Sequence, residues 1–184
     1  MDTENNLPNR KPLRLKHYNY NANGSYFITF CTHNRKNTLV SNYTTDVSCT
    51  NIRVWANYSE YGKIVDKYVK NVCDYFGVSV DLYAIMPNHV HLILSVNDET
   101  IVDEKSKRSV ISKVVGYIKM NATKEINAIF GKQKIWQRGF YDHVIRNEQD
   151  YDEIAKYVQE NPYKWNLDSL YNEDLPTQPM HNTD

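Results

Sequence analysis

Hydrophobic residues recur along this chain in two alternating rhythms. The run SYFITFCTH, from Ser25 to His33, is rich in β-branched and aromatic residues and predicts a strand at about 25–33. Residues 41–51 are heavy in Ser, Thr and Asn and read as a loop, with IRVWA after them as a short strand. Tyr61, Ile64, Val65, Tyr68, Val69, Val72, Cys73 and Phe76 then follow three- and four-residue spacing, so one helix is expected, closed by Gly77 at its C-cap. Val78–Met86 and His89–Val96 alternate with period two around the turn MPN and predict an antiparallel hairpin.

A second long helix is marked by Ile111, Val114, Val115, Ile118, Ala122, Ile126 and Ile129 and ends at Gly131. Ile135–Ile145 is expected as a strand. Asn147 then serves as N-cap for a helix striped by Tyr151, Ile154, Ala155 and Val158 and stopped by Pro162. The order β, α, β, β, α, β, α implies an α+β fold: a ferredoxin-like antiparallel sheet with helices packed on it. Residues 1–24 read as a basic arm, 25–165 as one domain and 166–184 as an acidic tail.

Composition adds little until it is read by position. The formal net charge is zero over 184 residues, which by itself argues against a polyanionic partner. Residues 5–45, however, carry six Lys or Arg and no acid, and residues 105–146 carry ten against two acids. Basic and acidic charge are therefore segregated, leaving room for a phosphate-binding face. Three scattered cysteines and the lack of an 18-residue apolar run suggest a cytoplasmic protein with no membrane partner.

The sharpest chemical feature is His89-Val90-His91 within an apolar strand. Alternation puts the two imidazoles on one face, about 7 Å apart at the backbone, where they can share a metal ion. Glu153, Tyr157 and Asn161 follow i, i+4, i+8 spacing along the last helix and could complete such a site. Tyr157 borders the apolar stripe, which leaves its hydroxyl free to reach outward.

Three segments carry a resemblance. YAIMPNHVHLIL (83–94) resembles the HUH signature of single-tyrosine transposases, two histidines around a hydrophobic residue. GFYDHVIRNEQDYDEIAKYVQENPYKW (139–165) is similar to the end of that domain, where the nucleophilic tyrosine precedes an Asn-Pro. RLKHYNYNANGSYFITFCTHNRK (14–36) matches more weakly, and the likeness spans about residues 12–168. It is strongest to the REP-associated branch of this IS200-like superfamily.

The resemblance implies His89 and His91 as a metal-binding pair, Asn161 as third ligand and Tyr157 as nucleophile, with Mg²⁺ or Mn²⁺ as the ion. It implies nicking and rejoining of single-stranded or hairpin DNA through a 5′-phosphotyrosine, by a monomer or a homodimer. Lys156, Lys164 or His143 could assist the phenol, whose unperturbed pKa is about 10. Glu153, on the same helix face as Tyr157, is a further candidate site residue. Lys113, Lys119, Lys124, Arg138 and Arg146 are candidates for phosphate contacts, and Arg14, His17 and Tyr18 for unpaired bases. A hairpin-binding regulator without catalysis is the alternative.

Overall fold

The computed structural model describes residues 18–47, 52–97, 100, 106 and 108–173. Its elements are β1 (Gly24–Cys31), β2 (Val40–Val47), β3 (Ile52–Tyr58), α1 (Glu60–Lys70), α2 (Val72–Phe76), β4 (Ser79–Ile85), β5 (His89–Val96), α3 (Val110–Phe130), β6 (Tyr141–Ile145) and α4 (Glu148–Glu160). A 3₁₀ turn at His33–Arg35 and a 3₁₀ segment at Asn161–Leu167 complete them. Strands β4, β5, β1 and β6 form one antiparallel sheet in that spatial order, and β2–β3 form a separate two-stranded ribbon. With the ribbon set aside, this is the expected ferredoxin-like plan.

Alternation sorts side chains onto two unequal faces. Tyr26, Ile28, Phe30, Val90, Leu92 and Leu94 point to one side, under α1, α2 and α3, in the large core. Phe27, Ala84, Met86 and Ile93 point to the other, where, among the described residues, only Val158 of α4 joins them as a fully buried apolar partner. The register aligns Ala84, His91, Thr29 and Tyr141 in one row across this second face, and Leu82, Ile93, Phe27 and His143 in the next. Because α4 covers the β4 side, the β1–β6 side of that face stays open.

Local chemistry explains the ends of the helices. Ser59 caps α1, its Oγ accepting from the Gly62 amide at 3.1 Å. Asn147 caps α4, accepting from the Asp150 amide at 2.9 Å, and Gly77 closes α2 in the left-handed region at φ 61°. At Gly62 an added Cβ would lie 2.0 Å from the Leu39 carbonyl oxygen, so the helix can approach only without a side chain there.

Three expectations need correction. The single helix over 61–76 is two, broken at Asn71 (φ −80°, ψ −9°). The expected loop from 41 is strand for most of its length, since β2 pairs with β3. Its Thr- and Asn-rich composition suits a ribbon whose cross-strand bonds are polar, as between Asn57 and Thr44 at 2.6 Å. The last strand begins at Tyr141, not Ile135: Gly139 turns the chain at φ 78°, and Trp136 makes only an isolated bridge to Thr32. Pro162 does end the α-helix, but the chain continues as a 3₁₀ turn to Leu167.

Candidate active site

Beside the open part of this face lies the pair His89 and His91, which alternation places side by side on β5. Both are buried, at 0% and 2% exposure. Their Nε2 atoms face each other at 2.9 Å. The far side of each ring is held: His89 Nδ1 lies 2.8 Å from Asn88 Oδ1, and His91 Nδ1 lies 2.7 Å from Thr29 Oγ1. Asn88 Nδ2 donates to the Leu170 carbonyl at 2.8 Å, which fixes the amide orientation and leaves Oδ1 as the acceptor. His89 therefore carries its proton on Nδ1, and its Nε2 lone pair points into the site. The Thr29 hydroxyl can donate or accept, so it serves either tautomer of His91.

Burial drives both histidines toward the neutral state. Desolvation, and then the charge of Arg35, lowers His89 to about 3. Desolvation followed by the neighbouring His89 lowers His91 well below the usual range, against a smaller opposing effect of Asp168. Neutral imidazole is the form that ligates a metal.

Helix α4 brings Tyr157 to this pair. Its hydroxyl lies 3.4 Å from His91 Nε2, and its ring meets His91 at 5.2 Å and Phe27 at 6.1 Å between centroids. It donates to Asp168 Oδ2 at 3.1 Å. Burial, then the Asp168 charge and its hydrogen bond, push the phenol up to about 12, while the Asn161 amide acts in the opposite direction.

Asp168 is the residue that sequence reasoning missed. It follows the 3₁₀ segment, its side chain is fully buried, and Oδ2 lies 4.0 Å from His89 Nε2. Ligand atoms of His89, His91 and Asp168 all lie within 4.8 Å of one another. Two neutral imidazoles with a carboxylate form a donor set that suits a divalent ion, with transition metals such as Mn²⁺ favoured over Mg²⁺ by the imidazoles. The expected third ligand, Asn161, is also buried and lines the small pocket that Tyr157 shares with Asp168. Acid in a tail without periodicity gave no signal for Asp168. The one hint was the proximity of the segment to the Asn-Pro.

The other candidates scatter. His143 lies on the same face, one row away, with Nε2 3.0 Å from Asp150 Oδ2. Glu153 accepts from Gln149 at 3.0 Å, Lys164 pairs with Glu160 at 2.6 Å, and Lys156 approaches Glu160 at 4.0 Å. Lys119 is turned inward to the Gln137 and Gly139 carbonyls, and burial lowers its pKa to about 8. Lys124, Arg138 and Arg146 are exposed and Lys113 is half-buried. Tyr18 packs against Tyr20 and Tyr26, whereas Arg14 and His17 lie outside the described residues. Among the described residues, no helix is long and apolar enough to cross a membrane.

Residues 21–161 match the family described as transposase, IS200-like. A Haemophilus influenzae protein of uncharacterised function is 32% identical over 182 residues, covering 90% of this chain and 94% of that protein. A second H. influenzae protein, described as a REP-associated tyrosine transposase, is 26% identical over 105 residues, covering 52% of this chain and 55% of its own length. Among solved structures, a REP-associated tyrosine transposase bound to a REP hairpin superposes with a TM-score of 0.55 at 20% identity, over 83% of this chain and 73% of that one, and so shares the fold. With three quarters of its length matched to this family model, the chain belongs to the IS200-like transposase family.

Proposed function

We propose that this protein nicks and rejoins single-stranded DNA, with Tyr157 as the nucleophile and the His89–His91 pair as the seat of a divalent ion. The observation that carries this reading is the Tyr157 hydroxyl poised 3.4 Å from the outward nitrogen of a buried, neutral histidine pair. The arm at 1–24 and the tail at 166–184 flank a catalytic domain at 25–165, and the tail supplies Asp168. His89 and His91 hold the ion, with Asp168 or Asn161 completing the protein ligands. Bound there, Mg²⁺ or Mn²⁺ would polarise a non-bridging phosphate oxygen and stabilise charge in the transition state.

Tyr157 attacks phosphorus in line as its phenol loses a proton. A P–O bond to tyrosine forms, the bond to the 3′ oxygen breaks, and that oxygen takes a proton to become a free 3′-hydroxyl. Because one ester replaces another, a second 3′-hydroxyl can reverse the step and join strands without ATP. A phenol held near 12 needs help to ionise, and positive charge arriving beside its oxygen supplies it. Lys113, Lys124, Arg138 and Arg146 provide phosphate contacts. The similarity to REP-associated tyrosine transposases, one of them solved on a REP hairpin, supports hairpin DNA as the substrate.

The test is incubation with Mn²⁺ or Mg²⁺ and 3′-labelled hairpin oligonucleotides from the DNA flanking the gene. A covalent protein–DNA adduct in the wild type, absent in Tyr157→Phe, is expected. Hairpin binding with no adduct under either metal would overturn catalysis and leave a regulator.

A further inference from the structure

Beside the His–Tyr centre, the uncovered part of the sheet opens into a cleft of about 520 Å³. That lies within the roughly 300–1,000 Å³ of small-ligand sites. Its lining includes Phe27, Thr29 and Cys31 of β1 and Tyr141 of β6, with His91 and Tyr157 at one end. Tyr141 is 50% exposed although it stands on a sheet face, in the row that runs through Thr29 to His91. Two cations edge the cleft, Arg35 and Arg138.

The presentation of Arg35 is built rather than incidental. Asn34 and Arg35 hold positive φ values of 54° and 53° in succession, a conformation Asn accepts readily but one uncommon for Arg. The surroundings that hold it are visible. Buried Thr32 Oγ1 donates to the Lys36 carbonyl at 2.8 Å, the His33 amide donates to the Ile135 carbonyl at 2.7 Å, and Asn172 Nδ2 donates to the Arg35 carbonyl at 2.6 Å. The turn sets Arg35 in the lining of the cleft, together with Cys31 and His91. Arg138 immediately precedes the chain reversal at Gly139, and Lys119 donates to the carbonyls on either side of it, those of Gln137 and Gly139.

An aromatic ring lying open on a β-sheet, flanked by guanidinium groups, matches the chemistry of an unpaired nucleotide: the ring stacks on the base, and the cations take its phosphates. We propose that this cleft is a subsite for one unpaired nucleotide adjoining the scissile phosphate, with Tyr141 as the stacking platform and Arg35 as the cation on the backbone. The subsite deepens the DNA-nicking reading and rests on it for the word scissile, but its binding chemistry can be measured without any reaction.

The experiment uses the full chain carrying Tyr157→Phe, so that nothing is cleaved, with Mn²⁺ and a fluorescent hairpin oligonucleotide from the gene's flanks. Each unpaired nucleotide is replaced in turn by an abasic residue, and affinity is read by anisotropy. One position is expected to weaken binding about 5- to 150-fold, the range for a stacked base. Tyr141→Ala should weaken the intact oligonucleotide to the same extent and the abasic one no further, whereas Tyr141→Phe should bind as before. Arg35→Gln should lower affinity at low salt and flatten the salt dependence, with Arg35→Lys in between.

Penalties for Tyr141→Ala and the abasic nucleotide that simply multiply would overturn the assignment, as would a Tyr141→Phe variant no better than Tyr141→Ala. If these cycles hold while the tyrosine-intact protein forms no adduct, the subsite stands and the catalytic reading falls. Adducts formed normally by Tyr141→Ala and Arg35→Gln on abasic and intact DNA alike would remove the subsite and spare the catalysis.

Discussion

Replacing Thr29 by Val deletes one hydroxyl from the floor of the site and nearly preserves its shape. Thr29 is 9% exposed, and its Oγ1 lies 2.7 Å from His91 Nδ1. In the metal-free protein the hydroxyl can donate to Nδ1 while His91 Nε2–H meets the His89 lone pair. With a metal on Nε2 the proton must move to Nδ1, and the same hydroxyl then accepts it. Valine can do neither, so one buried polar atom is stranded in each state.

Such an atom costs about 1–3 kcal/mol. For a chain of this length that corresponds to a fall in Tm of roughly 2–12 °C. Outer-shell partners of metal-bound histidine typically contribute 10- to 100-fold in affinity. Part of the penalty is already present without metal, so the loss of Mn²⁺ affinity should sit near the 10-fold end, about 1.4 kcal/mol. Calorimetric titration with Mn²⁺ and thermal melts with and without the ion measure both quantities, with Thr29→Ser as the control that keeps the hydroxyl. Unchanged Mn²⁺ affinity in Thr29→Val, or a Thr29→Ser protein as impaired as Thr29→Val, would refute the tautomer argument.

Three further outcomes are expected. The histidine pair makes folding pH-dependent: with its folded pKa at about 3 and its unfolded value near 6.5, His89 is protonated in the unfolded chain first, so metal-free stability should decline as pH falls from about 6.5 toward 3. Melts of the wild type against a His89→Gln, His91→Gln double variant check this, because the variant should lose much of that slope. Asp168→Asn and Asn161→Ala separate the two candidates for the third ligand: the true ligand's variant should lose at least 10-fold in Mn²⁺ affinity, and equal, unchanged affinities in both would exclude each. Gly62→Ala drives a Cβ into the Leu39 carbonyl and should destabilise the protein by about 1–3 kcal/mol or more, seen as a lower Tm with the α1 amides losing exchange protection.

The parts of the fold that could be read from sequence are those whose hydrophobic pattern faces one large core. The stripe Ile111, Val114, Val115 and Ile118 marks α3, and the alternation through His89 and His91 marks β5 and places both imidazoles on one face. Asn147 could be read as a cap because capping is local. What escaped depends on distant partners. Strand β2 carries Thr44 and Asn42 toward Asn57, a pattern that composition cannot tell from a loop. Asp168 reaches the site on a segment that Asn88 and Asn172 tie back across the sheet, through bonds that span 82 and 137 residues. The inward turn of Lys119 was equally hidden, since its helical position reads as a surface lysine until the 137–139 loop is seen to lie over it.

The inequality of the two cores has a dynamic consequence. Stability within a domain is uneven, and elements with few buried apolar contacts open at lower free energy than the whole. Helices α1 and α3 seal one face with a long register of buried aliphatic residues, whereas α4 is anchored by Val158 as its single fully buried side chain. Amides of α4 should therefore exchange with solvent well before those of β5 and β1. On that ordering Tyr157 and the histidine pair would sit in separate cooperative units, and α4 could lift Tyr157 away and return it while the sheet that carries His89 and His91 stays folded.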